Sequence, residues 1–309
     1  MSTSAKLVLA DGTIYAGTTY AATGTAYGQL VFDTTMTGYQ HSLTNPSNIG
    51  TLMVFTFPHI GNVGVNDADA ESDHYWPSGV IIRDPARRHS NWQAERALVD
   101  DLTSAGVVGI AGVDTRALTR HIRREGQVTA GIFAGAAADV TDGELVAQVR
   151  DWTPSATAEL LQAVTTHDAY EVAADNSKAT VALLDLGARR ATISQLVQRG
   201  NTVKVMPANT TFDQITAANV DGVVFSSGPG NPAEATDQIA LAQALLEAKT
   251  PLLGIGLGHQ IIAAALGYHN VLLPQAQRGP NQPVYDVASG RSLRRHWERI
   301  RHPTPPSAR

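Results

Sequence analysis

The amino-acid sequence predicts an α/β protein in which an N-terminal α+β domain precedes an open, mainly parallel sheet. Three observations support this prediction: β-rich runs mixed with helical patterns before residue 150, short apolar strands alternating with helices after residue 179, and a length of 309 residues, which suits two domains. Strands that alternate with helices indicate a parallel sheet covered on both faces. Ligands of such sheets bind at the carboxyl ends of the strands.

Residues 1–150 are predicted to form the α+β domain. The predicted strands are Lys6–Ala10, Leu30–Asp33, Met53–Phe57 and Val80–Arg83, and the predicted helices are Asn91–Leu102 and Thr115–Glu125. Asp11-Gly12 follows the first strand and is typical of a hairpin turn. Asp114 is a candidate N-cap for the second helix, and Gly126 is its predicted stop.

Residues 179–290 are predicted to form the second domain, after a connector and peripheral segment at 151–178 that lacks strong periodicity. The predicted strands are Val181–Leu186, Thr202–Met206, Gly222–Ser226 and Pro251–Ile255. The predicted helices are Arg190–Arg199, Asp237–Ala248 and His259–Leu266. Two loops, Ser227–Asn231 and Gly256–Gly258, follow strands of this sheet and are therefore expected at its ligand-binding edge.

A sharp turn centred on Gly256 joins the last predicted strand to the last predicted helix. A strand–turn–helix of this kind lifts its apex residue into a cleft and aims the unpaired N–H groups of the helix at the same point. Hydrolases use the apex for a nucleophile and the N–H groups for an oxyanion. Here the apex is glycine, a residue that tolerates strained backbone but carries no reactive side chain.

Composition excludes several classes of function. The chain has no cysteine, which rules out disulfides, thiolate metal sites and thiol catalysis. Its net charge of −5 gives no sign of nucleic-acid binding. The N-terminus lacks the apolar core of a signal peptide, and the uncharged stretch Thr250–Gln277 is too often interrupted by polar residues and glycine for a membrane span. We therefore expect a cytoplasmic protein.

Motifs in both halves of the chain resemble those of carbamoyl-phosphate synthase small subunits, which are class I glutamine amidotransferases. The turn at Gly256 resembles the G-I-C-L-G-H-Q elbow of that class, with glycine where the family has its cysteine. The other motifs are V-F-D-T-T-M-T-G-Y-Q (31–40), T-N-P-S (44–47), F-P-H-I-G-N (57–62), S-N-W (90–92), V-D-T-R-A-L-T-R (113–120), F-S-S-G-P-G-N-P (225–232) and R-G-P-N-Q-P-V (278–284).

This resemblance implies a role and a partner. Small subunits of the family hydrolyse L-glutamine and pass the ammonia through a channel to a large subunit, which uses ATP, Mg²⁺ and bicarbonate to make carbamoyl phosphate for arginine and pyrimidine synthesis. The expected assembly is a heterodimer of the two subunits. The resemblance also implies that the small subunit itself holds no metal or other cofactor. Net charge and composition, in contrast, predict that the chain binds neither nucleic acid nor a membrane.

The resemblance also implies glutamine-binding positions. Ser47 matches a serine that reaches from the first domain to glutamine, although a plain turn residue is the alternative. Gly228 and Gly230 match a loop in which Gly230 shares the oxyanion hole with the N–H group of Leu257, and the alternative is a simple turn after a strand. Gln260 matches a further glutamine contact.

No catalytic residue of the family is intact in this sequence, because Gly256 occupies the nucleophile position. His259 belongs to the start of the elbow helix, where a structural histidine is expected rather than a catalytic base. Ser226 and Ser227 lie on another loop without a matched base, which argues against substitute nucleophiles.

Residues 291–309 form a divergent basic tail with six Arg and one Glu. The Q-N-H-G segment and the His-x-Glu pair that the family uses to complete its site are absent, and His296 with Glu298 is interpreted as a chance match. The tail could be solvated without fixed structure, a basic arm for an acidic partner, or the product of a frame slip or truncation in the gene. The last interpretation fits the abrupt loss of resemblance, and it predicts a C-terminally truncated sheet with an exposed apolar edge.

Three functional hypotheses remain. The chain is a small subunit without glutaminase activity, or a non-catalytic partner that docks on and stabilises an ammonia-dependent large subunit, or a non-functional product of a truncated gene.

Overall fold

The computed structural model describes residues 3–271, 273, 282–287 and 289–295, which divide into two compact units. The first unit holds the described residues up to Pro154 and those from Leu273 onward, and the second holds residues 155–271. None of the helices in these ranges is long and apolar enough to cross a membrane.

A closed barrel of seven strands forms the first unit, in the order β1-β2-β8-β6-β4-β3-β9. The strands of this unit up to residue 154 are β1 (Ser4–Leu9), β2 (Ile14–Thr19), β3 (Gly24–Asp33), β4 (Thr51–Phe55), β5 (His59–Ile60), β6 (Gly79–Ile81), β7 (Asp84–Pro85), β8 (Val108–Ala111) and β9 (Thr129–Ala134). The neighbours β3, β4, β6 and β8 run parallel, and the other barrel pairs are antiparallel. Ala5, Leu7 and Leu9 alternate along β1 and are buried with apolar residues from five other strands.

Four α-helices lie between or after the barrel strands along the chain: α1 (Tyr39–Leu43), α2 (Leu98–Ser104), α3 (Thr115–Glu125) and α4 (Asp142–Asp151). The predicted helix Thr115–Glu125 is confirmed at both ends, and the Asp114 side chain accepts a hydrogen bond from the Ala117 N–H group at 3.0 Å. The predicted helix Asn91–Leu102 is wrong in its first half. Residues 91–97 form a turn and a bridge instead, because Arg96 and Val65 exchange backbone hydrogen bonds of 3.0 and 3.2 Å.

A five-stranded sheet in the order β10-β12-β11-β13-β14 forms the second unit. The strands are β10 (Tyr170–Val172), β11 (Ala179–Asp185), β12 (Asn201–Pro207), β13 (Gly222–Phe225) and β14 (Leu252–Gly254), and the helices are α5 (Thr157–Val164), α6 (Arg190–Gln198), α7 (Phe212–Ala217), α8 (Thr236–Glu247) and α9 (Leu257–Ala265). All pairs except β10–β12 are parallel, which confirms the predicted sheet type. Ala182 and Leu184 pack in one apolar cluster and Leu183 in another, so both faces of the sheet are covered.

The segment 151–178 holds regular structure that its weak periodicity did not predict. Helix α5 lies within it, and β10 pairs antiparallel with β12 at one edge of the sheet. At the other edge, β14 has no further strand beside it among the described residues, and its Leu253 is 52% exposed.

Two further strands, β15 (Gln282–Asp286) and β16 (Arg291–Arg295), form an antiparallel pair. The first five residues of the predicted tail therefore belong to a hairpin. The predictions that concern His296, Glu298 and residues 299–309 lie outside the described residues, as does most of the R-G-P-N-Q-P-V motif.

Candidate active-site elbow

Gly256 is the apex of a strand–turn–helix. Strand β14 ends at Gly254 and helix α9 begins at Leu257, with Gly256 between them at φ 55° and ψ −117°. A positive φ of this kind costs a residue with a side chain about 1–3 kcal/mol, whereas glycine adopts it freely. The predicted elbow is confirmed, and the glycine at its apex relieves the strain that the turn imposes.

Close contact with the neighbouring strand positions the elbow. The N–H group of Ile255 donates to the carbonyl oxygen of Phe225 at 3.0 Å, and that of Gly258 donates to the carbonyl oxygen of Ser226 at 3.1 Å. A Cβ atom on Gly258 would clash with the Phe225 carbonyl, so the helix start lies against the end of β13 only because residue 258 is glycine. The loops after β13 and β14 therefore meet at the carboxyl edge of the sheet.

The loop after β13 is shaped by two glycines. Gly228 lies against the Leu186 carbonyl, where a Cβ atom would clash. Gly230 has φ +100°, and a Cβ atom on it would lie 2.5 Å from Cγ2 of Thr157. Both positions therefore require glycine because the loop packs closely against its own neighbours, and a role of this loop in binding a ligand stays a prediction.

Thr157, the first residue of α5, holds this loop in place. Its hydroxyl accepts a hydrogen bond from the Asn231 N–H group at 2.9 Å and donates to Oε2 of Glu234 at 2.6 Å. The Asn231 side chain also donates to Glu234, at 3.1 Å. Hydrogen bonds from Thr157 and Asn231 lower the pKa of the Glu234 carboxyl below its ordinary value. The sequence analysis did not identify Thr157 as a residue of this site. The only local signal for the contact was Glu234, which follows Asn231, a typical N-cap residue, by three positions.

Asp185 fixes the adjoining loop from the end of β11. Its carboxylate accepts hydrogen bonds from the N–H groups of Gly187 at 3.0 Å, Ala188 at 2.7 Å and Thr166 at 2.7 Å. Burial raises the pKa of the Asp185 carboxyl, although these three N–H donors oppose the shift. With both oxygens engaged by backbone donors, Asp185 organises the loop that backs Gly228.

Some backbone donors at this edge have no acceptor among the described residues. The N–H groups of Gly230 and Leu257 donate no hydrogen bond to any described residue. Leu257 is the first residue of a nine-residue helix, whose N-terminus carries partial positive charge. Such donors suit a carbonyl oxygen or an anion, and their pairing in one oxyanion hole stays a prediction.

The elbow offers no nucleophile. Gly256 has no side chain, and Ser226 is fully buried with its hydroxyl engaged by the Leu186 N–H group at 2.9 Å and the Ser227 carbonyl at 2.8 Å. The Ser227 hydroxyl is buried without a hydrogen bond. Within residues 155–271 no serine hydroxyl is hydrogen-bonded to a histidine ring, and His259 is exposed. No serine–histidine pair of the kind that activates a nucleophile therefore exists in this range.

Gln260 and Ser47 occupy different units. Gln260 lies in the first turn of α9, where its N–H group donates to the Gly256 carbonyl at 3.2 Å. Ser47 lies in a short 3₁₀ helix, Pro46–Asn48, of the first unit, with 6% of its surface exposed and its N–H group donating to Oδ1 of Asn45 at 3.1 Å. Glutamine contact by either residue stays a prediction. Among the described residues no group of His, Asp and Glu has the geometry of a metal site.

Comparison with known proteins gives consistent matches to both halves of the chain. Residues 7–132 match the family model for the carbamoyl-phosphate synthase small chain, CPSase domain, and residues 182–302 match the model for glutamine amidotransferase class-I. The carbamoyl phosphate synthase small chain of Streptomyces coelicolor is 47% identical over 290 residues, covering 94% of this chain and 76% of that protein. The proteins of the same name from Mycobacterium tuberculosis and Bifidobacterium longum are 44% and 42% identical, each over 93% of this chain and over 78% and 74% of their own lengths.

Proposed function

Because this chain belongs to the carbamoyl phosphate synthase small chain family, we propose that it docks on a large subunit without hydrolysing glutamine itself. The family membership supports the large subunit as partner and L-glutamine as the ligand class of the elbow. The strand–turn–helix at Gly256 supports a chain that folds as a small subunit does. In this proposal the large subunit binds ATP and Mg²⁺, and this chain binds no cofactor.

The observation that carries the proposal is the glycine at position 256. Glutamine hydrolysis in this family requires a thiolate at the elbow apex to attack the amide carbon, form a thioester and release ammonia. Gly256 offers no atom that could form this bond, and the chain contains no cysteine anywhere. Loss of a nucleophile typically lowers the rate by about 10⁴- to 10⁶-fold. Because the nucleophile is absent rather than weakened, the thioester step cannot take place at this position.

In this proposal the chain can still bind glutamine. The free N–H groups of Gly230 and Leu257 could hold the carbonyl oxygen of glutamine. A small subunit of this kind would leave the large subunit dependent on free ammonia. Its contribution would be to dock on the large subunit and stabilise it.

Co-purification and glutamate release together test this proposal. The chain would be expressed with a carbamoyl phosphate synthase large subunit, with the Streptomyces coelicolor small chain as the positive control. We expect a stable complex, and glutamate release at least about 10⁴-fold below that of the control. Glutamate release near the control rate would refute the lack of glutaminase activity. Failure to form a complex would refute the docking role and would support the alternative of a non-functional gene product.

A further inference from the structure

Helix α5 and the two residues after it contact three loops at the carboxyl edge of the sheet in the second unit. At the start of the helix, the Thr157 hydroxyl accepts a hydrogen bond at 2.9 Å from the loop after β13. Just past its end, the Thr165 hydroxyl accepts a hydrogen bond at 2.8 Å from the Ala208 N–H group, in the loop after β12. The Thr166 N–H group donates to Oδ2 of Asp185, the last residue of β11, at 2.7 Å. One short segment therefore joins the ends of three neighbouring strands.

Apolar packing fixes this segment, residues 157–166, which we call the α5 segment. Its Leu161 is 3% exposed and lies in one apolar cluster with Leu186, which follows β11, and Met206, near the end of β12. Lifting the segment from the sheet edge would expose this leucine to water, which is unfavourable. The α5 segment is therefore a fixed part of the edge at which the loops after the strands meet.

The loop after β13 supplies the cap that helix α5 lacks. Ala156, at the N-cap position, forms no side-chain cap hydrogen bond. Instead, Oε2 of Glu234 accepts hydrogen bonds from the Thr157 hydroxyl at 2.6 Å and from the Thr157 N–H group at 3.4 Å. A carboxylate in this place also interacts favourably with the positive end of the helix. Loop and helix therefore hold each other in place, with Thr157 at their junction.

Gly230 lies directly beside this junction. The hydrogen bond from the Asn231 N–H group to Thr157 fixes the peptide unit that follows Gly230. Pro229, with the restricted φ of proline, precedes it. The Thr157 methyl group packs on the glycine, since a Cβ atom on Gly230 would lie 2.5 Å from Cγ2 of Thr157. Because glycine otherwise has more backbone freedom than any other residue, these contacts determine where the Gly230 N–H group points.

We infer that Thr157 is a positioning residue for the ligand of the elbow, because it orients the Gly230 N–H group that donates to a carbonyl oxygen of L-glutamine. The inference rests on the proposed function for its ligand and on the hydrogen bonds of the α5 segment for the residue. Thr157 acts through Gly230 and touches no reacting atom, so it changes affinity. A donor that is already oriented loses less conformational entropy when the ligand binds.

Binding of L-glutamine to the full-length chain, measured by isothermal titration calorimetry, tests this inference. The titration is run at a temperature at which circular dichroism shows every variant folded. We expect Thr157→Val, which keeps the shape of the side chain but removes its hydroxyl, to raise Kd about 5- to 30-fold, the factor equivalent to ordering one backbone residue on binding. Thr157→Ser keeps the hydroxyl and should bind glutamine within about 2-fold of wild type.

Thr165→Val is the matched control. It removes the other threonine hydroxyl that joins the α5 segment to a loop, about 12 Å along the helix axis from Thr157. Both valine variants should melt at a lower temperature than wild type, because each leaves a loop N–H group without its acceptor. Only Thr157→Val should weaken glutamine binding, since Thr165 bonds to the loop after β12, whereas Thr157 bonds to the loop that contains Gly230.

The outcomes separate this inference from the proposed function. If wild type binds glutamine and Thr157→Val binds it equally well, Thr157 is not a positioning residue, and docking without hydrolysis stands. Equal weakening by Thr165→Val would show that the α5 segment acts only through overall stability, which also overturns the inference. Absence of glutamine binding to the wild-type chain would overturn it as well, whereas complex formation and glutamate release decide the proposed function independently.

Discussion

A Cβ atom placed on Gly256 would lie 3.3 Å from Cβ of Ser227, so the elbow apex and the loop after β13 are in direct contact. The same glycine holds φ 55°, a value that residues with side chains rarely adopt. The apex therefore combines two demands, positive φ and limited space, that glycine meets without cost. In this chain the elbow geometry persists while its nucleophile is absent.

Gly256→Ala is expected to destabilise the second unit by about 1–3 kcal/mol, because alanine at this position adopts strained backbone and crowds Ser227. Urea unfolding measures the change. The matched control is Gly143→Ala in α4, where a Cβ atom meets nothing within 4 Å and φ is not positive. That change should leave stability unaltered or raise it by up to about 1 kcal/mol. Equal effects of the two substitutions would contradict the strain assigned to Gly256.

Gly256→Cys is expected to give no measurable glutamine hydrolysis, although it restores a thiol at the apex. The His-x-Glu pair that the family uses is absent from this sequence, and His259 is exposed at the start of the elbow helix, so no residue is assigned as the base for this thiol. Glutamate release, assayed beside the Streptomyces coelicolor small chain, measures the outcome. Activity in the variant would reveal a base that the described residues do not identify.

Thr157→Val is expected to lower the free energy of unfolding by about 1–2 kcal/mol, because the buried hydroxyl that holds Asn231 and Glu234 is lost. Hydrogen exchange of the Asn231 amide should accelerate in the same variant. Thr216→Val, which removes an exposed hydroxyl bonded only to its own helix, serves as control and should change stability by less than about 0.5 kcal/mol. Unchanged exchange at Asn231 would contradict the role of Thr157.

Glu234→Gln tests how the negative charge of Glu234, which is bonded to Thr157 and Asn231, contributes to stability at different pH values. The folded-state pKa of Glu234 is lowered from its ordinary 4.5 by hydrogen bonds from Thr157 and Asn231. Its carboxylate therefore adds stability above pH 4.5, and this contribution is lost as pH falls through the folded-state pKa. The difference in unfolding free energy between wild type and variant should be small, largest near neutral pH and smaller in acid. A difference that grows as pH falls would have the wrong sign.

Leu253→Lys is expected to reduce self-association. Strand β14 has one unpaired edge among the described residues, and Leu253 is 52% exposed on it. A lysine on such a strand opposes edge-to-edge pairing. Light scattering across a concentration series compares the variant with wild type and with Leu266→Lys, which adds the same charge outside any strand. Equal self-association in all three proteins would show that the β14 edge is not the contact.

Local signals in the sequence predicted the elements whose stability is local. Helix α3 has its cap at Asp114 and its stop at Gly126 within the segment itself, and both its ends were predicted correctly. The parallel sheet and the elbow were likewise visible, because short apolar strands, turn glycines and helical segments follow one another in the order of the fold.

Distant contacts determined what the sequence did not reveal. Residues 91–97 form a turn and a bridge rather than the predicted helix, because Arg96 forms backbone hydrogen bonds with Val65, some thirty residues away. The barrel depends on pairs such as β1 with β9, which no local pattern specifies. Thr157 lies in a segment of weak periodicity. Its role was not predicted because its contact with Asn231 spans 74 residues.

The central claim is that this chain is a family member whose elbow cannot hydrolyse glutamine. The most direct test is carbamoyl phosphate formation by the large subunit together with this chain, supplied with either glutamine or ammonium as nitrogen donor. We predict synthesis with ammonium, altered by addition of this chain, and no synthesis above background with glutamine. Glutamine-supported synthesis would contradict the account and would require a nucleophile other than a residue at position 256.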